Sequence, residues 1–249
     1  LEFRRVLFRS ISNYCLVFNV GKYKVAKRTY TTCDGHTVPM EYYVLEENFD
    51  KAEKLLDLFV QSCRIHEKYF GEYPWVKERI AASETPHLGM EHQSATAYGN
   101  GYRNGYRGTD LSGSGWGLKW DFIIVHESGH EWFANNITSK DIADMWIHES
   151  FTNYSETLFT DFWYGKEAGN AYVQGTRKNI QNDIPIIGTY NVNREGSGDM
   201  YYKGGNQPVI QLNTNPDFGL SKKIDEEINP NKKDNKFSFV DDLLKPKNK

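Results

Sequence analysis

Apolar and polar residues alternate over the first part of the chain, between residues 11 and 45. A period of two is typical of β-strands that bury one face. Gly21 and the pair Asp34 and Gly35 interrupt the alternation and predict turns between strands. The apolar positions are Tyr14, Leu16, Phe18 and Val20, followed by Tyr30, Tyr42 and Val44.

The period changes at Asn48. From there apolar residues recur every three or four positions as far as Tyr69, and Gly71 and Pro74 close the segment. This spacing predicts a long amphipathic helix.

The middle of the chain predicts two short strands, a glycine-rich loop and three further helices. The helices show the three-and-four spacing of apolar residues. We expect the strands at 77–83 and 94–98, the loop at 99–117, and the helices at 118–132, 149–164 and 166–182.

The second predicted helix carries a metal-binding pattern, since His126, Glu127 and His130 form a His-Glu-x-x-His sequence. Side chains four positions apart lie on one face of a helix, so both histidines can face one zinc ion. A catalytic zinc site takes a third protein ligand and keeps one position for water. Glu149, after eighteen intervening residues, is the candidate third ligand. Glu127 is the candidate general base beside the open position.

Two neighbouring positions exclude another zinc class. That class continues the motif with glycine three residues after the second histidine and a third histidine three residues later. Phe133 and Asn136 occupy those positions here. The remaining alternative is that His126 and His130 are ordinary helix residues that bind no metal. The glutamate at the expected spacing, Glu149, argues against this alternative. Glu156 is expected either to hydrogen-bond a ligand histidine or to be an exposed carboxylate.

Three motifs occur in the order seen in zinc aminopeptidases of the aminopeptidase N family. They are residues 88–92, the zinc motif with its spaced glutamate, and residues 201–204. The chain resembles that family from about residue 11 to about residue 206. The resemblance implies an α+β fold, in which the end of an N-terminal β-domain (11–46) precedes a truncated thermolysin-like zinc peptidase catalytic domain (47–206).

The resemblance also implies roles for individual residues. Gly89, Met90 and Glu91 correspond to an exopeptidase signature whose backbone holds the peptide and whose glutamate binds the free α-amino group. Tyr201 corresponds to a tyrosine that stabilises the oxyanion. One zinc ion is the implied cofactor, and peptides with a free N-terminus are the implied substrates.

The residues leave two alternatives open. Leu88 and His92 stand where the signature has glycine and asparagine, so the substrate contacts of these two positions are not carried over. A thermolysin-like endopeptidase, or a relative with another hydrolase activity, would not need Glu91 to recognise an amine. A zinc-binding scaffold without activity is the other alternative, since the family's catalytic domain continues with further helices.

Composition narrows the class of protein. With 249 residues, 39% of them hydrophobic, and a net charge of −3, the chain can form a sizeable core and is not basic enough to indicate nucleic-acid binding. No apolar run reaches membrane-spanning length. Cys15, Cys33 and Cys63 are too few and too widely spaced for a thiolate zinc site, and their odd number argues against a disulfide framework. Compartment and oligomeric state are left open.

Both ends of the sequence differ from the rest. Residues 1–10 match an in-frame translation of a common sequencing adapter, and we expect them to be an artefact. The family resemblance stops at Asn206. Residues 207–249 are rich in charge and poor in apolar side chains, so we expect disorder or a frameshift there.

Overall fold

A computed structural model describes residues 11–206 of the chain. Five strands and five α-helices make up a mixed architecture, which confirms the expected combination of helices and sheet. The predictions for residues 1–10 and 207–249 lie outside the described residues. In chain order the elements are β1 (Tyr23–Thr31), β2 (Thr37–Leu45), α1 (Ala52–Phe70), β3 (Ile80–Glu84), β4 (Gly89–Met90), β5 (Thr96–Tyr98), α2 (Phe122–Gly129), α3 (Trp146–Tyr164), α4 (Lys166–Thr176) and α5 (Asp199–Asn206).

The strands form one sheet in the order β1-β2-β3-β5-β4. β1 and β2 form an antiparallel hairpin, β2–β3 and β3–β5 pair in parallel, and β4 pairs antiparallel with β5. The hairpin turns at Gly35, whose φ of +88° favours glycine, as the sequence predicts. Because β2 pairs with β3, the boundary expected near residue 46 falls within one sheet. The division into domains stays a prediction.

The alternating segment before β1 does not form the expected strand. Leu16, Phe18 and Val20 are 54%, 73% and 96% exposed, and residues 16–20 pair with no strand within the described part of the chain. Alternation indicates which side chains would share a face, but a strand also needs a neighbouring backbone to complete its hydrogen bonds.

α1 and α2 pack against the sheet, and α3 packs on both of these helices and on α4 and α5. α1 buries Leu56 and Phe59 and ends at Gly71, close to the predicted boundaries. α2 begins later than predicted, because the Asp121 side chain caps it by accepting from the backbone N–H of Ile123, and it also ends earlier, at Gly129. Every residue of α2 is buried, so this is a core helix. Among residues 11–206, no helix has both the length and the apolar character needed to cross a bilayer.

The last helix, α5, was not expected from periodicity. It packs closely on α3, where a Cβ atom at Gly204 would collide with the Ser150 side chain and one at Gly205 with Asn153. The two glycines therefore allow the close approach that places Tyr201 beside the start of α3.

Candidate metal centre and active site

Two helices bring the three predicted zinc ligands together. His126 and His130 come from the end of α2, and Glu149 comes from the first turn of α3. Their ligand atoms lie within 4.8 Å of one another, and all three residues are buried. The two Nε2 atoms are 3.2 Å apart, and Glu149 Oε2 lies 3.3 Å from one and 3.5 Å from the other.

The hydrogen bonds of the two Nδ1 atoms orient the histidine rings so that both Nε2 atoms face the centre. His126 Nδ1 lies 2.7 Å from Glu156 Oε1, and His130 Nδ1 lies 2.9 Å from the carbonyl oxygen of Phe133. Both oxygens are acceptors, so each Nδ1 carries a hydrogen, and once a metal ion displaces the Nε2 protons each Nε2 can present a lone pair to it. The two lone pairs and the Glu149 carboxylate converge on one point.

This arrangement fits a zinc ion. Glu149 Oε2 is buried and makes no hydrogen bond within the described chain. A buried carboxylate oxygen facing two imidazole lone pairs needs a cation to compensate it. Two nitrogens and one carboxylate oxygen are a ligand set that catalytic zinc takes in proteins.

Glu156 holds the His126 ring through the hydrogen bond to its Nδ1 atom. It is fully buried, and its carboxylate also accepts hydrogen bonds from Asn153 Nδ2 at 3.2 Å and from the Tyr172 hydroxyl at 2.7 Å. Of the two roles expected for Glu156, the structure therefore shows contact with a ligand histidine. Such a carboxylate fixes the orientation of the imidazole and raises its basicity.

The carboxylates and histidines at the centre shift one another's pKa values toward their charged forms. Burial lowers the pKa of His130, but Glu149 and Glu91 together outweigh this effect and raise that pKa to about 9. Burial would raise the pKa of Glu149, yet His130 and His126 hold it far below its usual value. The centre therefore attracts positive charge, and a metal ion that binds there displaces protons.

Glu127 lies beside the centre on the adjoining side of α2. Burial raises the pKa of its carboxyl to about 7, against the opposing effect of His126 and His130. A carboxyl with such a pKa can take up and return a proton near neutral pH. β4 lies against this side chain at Gly89. A Cβ atom added at Gly89 would lie only 2.7 Å from Glu127 Oε1 and 2.8 Å from Ile123 Cγ2. Gly89 leaves the space that Glu127 occupies.

The candidate amine-binding residue lies at the same place. Glu91, Glu127 and His130 each have a carboxylate or ring atom within 4.8 Å of the others, and Glu91 is buried. Met90 precedes it on β4 and pairs with Ala97 of β5. His92 follows, and its Nδ1 donates to the Cys15 carbonyl oxygen at 3.0 Å.

Tyr201 reaches the centre from α5. Its ring stacks near His126, with ring centroids 6.2 Å apart. Burial and the charge of Glu149 raise the pKa of its phenol well above the usual value, so the hydroxyl keeps its proton and can act as a donor.

Three residues near the site were not predicted from the sequence. The Tyr14 hydroxyl lies 3.5 Å from His148 Nδ1, Tyr172 supports Glu156, and Asn135 contacts the Glu91 backbone. His148 also accepts from the Ser139 N–H at 3.0 Å. Asn135 follows the zinc motif by five positions, a place in the chain that could have drawn attention to it. Tyr14 and Tyr172 carry no local signal, because only the tertiary fold brings them near.

The mixed sheet, the His-Glu-x-x-His motif of α2 and the spaced glutamate of α3 define a gluzincin, a zinc peptidase class with glutamate as third ligand. The family model described as "Peptidase family M1 domain" matches residues 48–185, more than half of the sequence. The chain belongs to peptidase family M1.

Two curated relatives are aminopeptidases of much greater length. Endoplasmic reticulum aminopeptidase 1 from Mus musculus is 24% identical over 207 residues, which cover 78% of this chain and 22% of the relative. Aminopeptidase N from Lactococcus lactis is 33% identical over 153 residues, which cover 59% of this chain and 17% of the relative. The chain thus spans about a fifth of the length of these proteins.

Solved structures show the same fold at low identity. Legionella pneumophila aminopeptidase A, in complex with aspartic acid, matches with a TM-score of 0.55 and 15% identity, over 74% of this chain and 21% of the other. An M1 zinc metallopeptidase from Deinococcus radiodurans matches with a TM-score of 0.50 and 20% identity, over 72% and 38% of the two chains.

Proposed function

We propose that the chain is the catalytic part of a zinc aminopeptidase that removes single residues from the N-terminus of peptides. The observation that carries this proposal is that two groups of buried residues meet at His130: the three candidate ligands His126, His130 and Glu149, and the carboxylates Glu127 and Glu91. Residues 47–206 would be part of a thermolysin-like catalytic domain, and family M1 membership supports that assignment.

His126, His130 and Glu149 would hold the zinc ion. When bound, zinc lowers the pKa of a coordinated water to about 7 and polarises the scissile carbonyl group. Glu127 accepts a proton from the attacking water and later passes it to the leaving amine. Its raised pKa supports this exchange, because a base titrating near the working pH accepts and releases a proton equally well.

Tyr201 would stabilise the charge that forms on the substrate's carbonyl oxygen. Its protonated phenol is a hydrogen-bond donor beside His126. One such donor contributes about 3–4 kcal/mol to transition-state stabilisation in comparable sites. Its loss should reduce turnover more than substrate binding.

Glu91 would select for a free N-terminus. A buried carboxylate attracts a protonated α-amino group. Because Glu91 lies close to Glu127 and His130, a peptide bound through its α-amino group would have its first peptide bond at the metal position. β4 supports this geometry, because it lies at the edge of the sheet. The backbone of Gly89 and Met90 can therefore pair with an extended peptide as an added strand.

The test compares zinc content and peptide hydrolysis in the chain and in Glu127→Gln. We expect the variant to keep its zinc and lose most turnover, while Glu167→Gln, an exposed glutamate on α4, changes neither. An active Glu127→Gln enzyme would refute the assigned base.

Substrates with acetylated N-termini separate the alternatives. We expect them to resist cleavage, whereas equal cleavage would indicate an endopeptidase. Zinc binding with no turnover of any peptide would indicate a scaffold.

A further inference from the structure

The turn that carries Glu91 into β5 is held at both ends by the segment that follows α2. The backbone N–H of Ser94 donates to Glu131 Oε1 at 2.8 Å, and the carbonyl oxygen of Glu91 accepts from Asn135 Nδ2 at 3.1 Å. Glu131 directly follows His130 in the chain, and Asn135 lies five positions after it. The candidate amine-binding turn is therefore attached to the segment that carries a metal ligand.

Asn135 uses both atoms of its side-chain amide and its backbone N–H. Besides Glu91, its Nδ2 donates to Glu131 Oε2 at 3.2 Å, and its backbone N–H donates to the His130 carbonyl oxygen at 3.0 Å. Its Oδ1 accepts from Cys15 Sγ at 3.3 Å. Burial raises the pKa of the Cys15 thiol to about 11, which keeps this donor protonated. An amide is the one side-chain group that supplies two donors and an acceptor in this space, so neither aspartate nor an apolar residue can replace it.

The turn itself has little internal support. Ser94 has a φ of +56°, in the left-handed region that residues other than glycine rarely adopt. One backbone hydrogen bond closes the turn, from the Ala95 N–H to the His92 carbonyl oxygen at 3.0 Å. A strained turn persists where the surrounding structure holds it. Glu131 and Asn135 hold its backbone, while the Ser94 and His92 side chains bond to Glu78 and to the Cys15 carbonyl oxygen.

We propose that Asn135, acting with Glu131, is a positioning residue that sets the distance between the Glu91 carboxylate and the metal centre. This inference rests on the proposed function, because the distance matters only if Glu91 binds the α-amino group. Asn135 touches neither substrate nor metal in this account. It acts through the Glu91 backbone and so determines how well a free N-terminus is recognised.

The test measures recognition of the amine directly on the zinc-loaded full chain. NMR titration gives the dissociation constants of L-alanine and of N-acetyl-L-alanine, which differ in the free amine. We expect the unmodified chain to bind L-alanine at least tenfold more tightly. Asn135→Ala should reduce this preference to less than threefold while one zinc per chain remains. Asn136→Ala, an exposed neighbour of the same type, is the control and should keep the full preference.

A second variant and the zinc content guard against a folding defect. Asn135→Asp keeps the shape and the acceptor for Cys15 but removes both side-chain donors, and we expect the same loss of preference. A preference retained in both Asn135 variants would overturn the inference and leave the proposed function intact. Loss of zinc, or equal weakening of both ligands, would show a purely structural role and would also overturn it. No preference in the unmodified chain would overturn the proposed function and the inference together.

Discussion

Replacing Glu156 with glutamine should weaken zinc binding without removing a ligand. One carboxylate oxygen of Glu156 accepts from His126 Nδ1 and the other accepts from the Tyr172 hydroxyl. A glutamine has a single oxygen, so one of these two donors must face an NH₂ group. The substitution also removes the negative charge that raises the basicity of the His126 ring.

The expected size of the effect follows from this contact. Loss of a carboxylate that hydrogen-bonds a metal-binding histidine typically costs a factor of about 10–100 in metal affinity. That range corresponds to about 1.4–2.7 kcal/mol of binding free energy. Glu156 is fully buried, so solvent cannot replace the lost bond, and we expect an effect within this range.

Competition with a chelating dye measures the zinc dissociation constant. Glu167→Gln is the matched control, because it makes the same chemical change at an exposed position of α4. A dissociation constant for Glu156→Gln within twofold of the unmodified chain would refute the reasoning. Equal weakening in the control would also refute it, since the effect would then reflect total charge.

Three further predictions concern backbone positions. Gly89→Ala should lower kcat of the complete enzyme at least tenfold with zinc content unchanged, because the new Cβ would displace the Glu127 carboxylate; equal kinetics in the two proteins would contradict this. Gly204→Ala should push α5 away from Ser150 and remove Tyr201 from the centre, so kcat should fall more than KM rises, whereas a change in KM alone would count against it. Ala134→Gly should stabilise the fold, because Ala134 is buried and has a strained φ of +145°. Relief of that strain, less the entropy cost of glycine, should add about 1 kcal/mol to the free energy of unfolding and raise Tm by about 2–4 °C. A lower Tm would contradict the assignment of strain.

The elements that local sequence rules govern were predicted well. The hairpin of β1 and β2 and the long helix α1 follow from period and from their flanking glycines, and the glycine at 165 ends α3 as expected. The pairing of His126 with His130 follows from helical geometry alone. These features depend on residues close together in the chain.

Features that depend on tertiary contacts were not predicted. Residues 16–20 alternate like a strand, but no neighbouring strand pairs with them among the described residues. Tyr201 lies beside the start of α3 because two glycines let α5 approach α3, and periodicity carries no information about that approach. The role of Asn135 depends on partners 44 and 120 positions away in sequence. A single sequence without its fold does not indicate which distant groups such an amide will meet.

Zinc content tests the central claim most directly. The metal should be counted per chain by elemental mass spectrometry after dialysis, in the unmodified chain and in Glu149→Ala. We expect one tightly held zinc ion in the unmodified chain and its loss or weakening in the variant, which lacks the proposed third ligand. No zinc in either protein, or equal retention in both, would contradict the assigned metal centre.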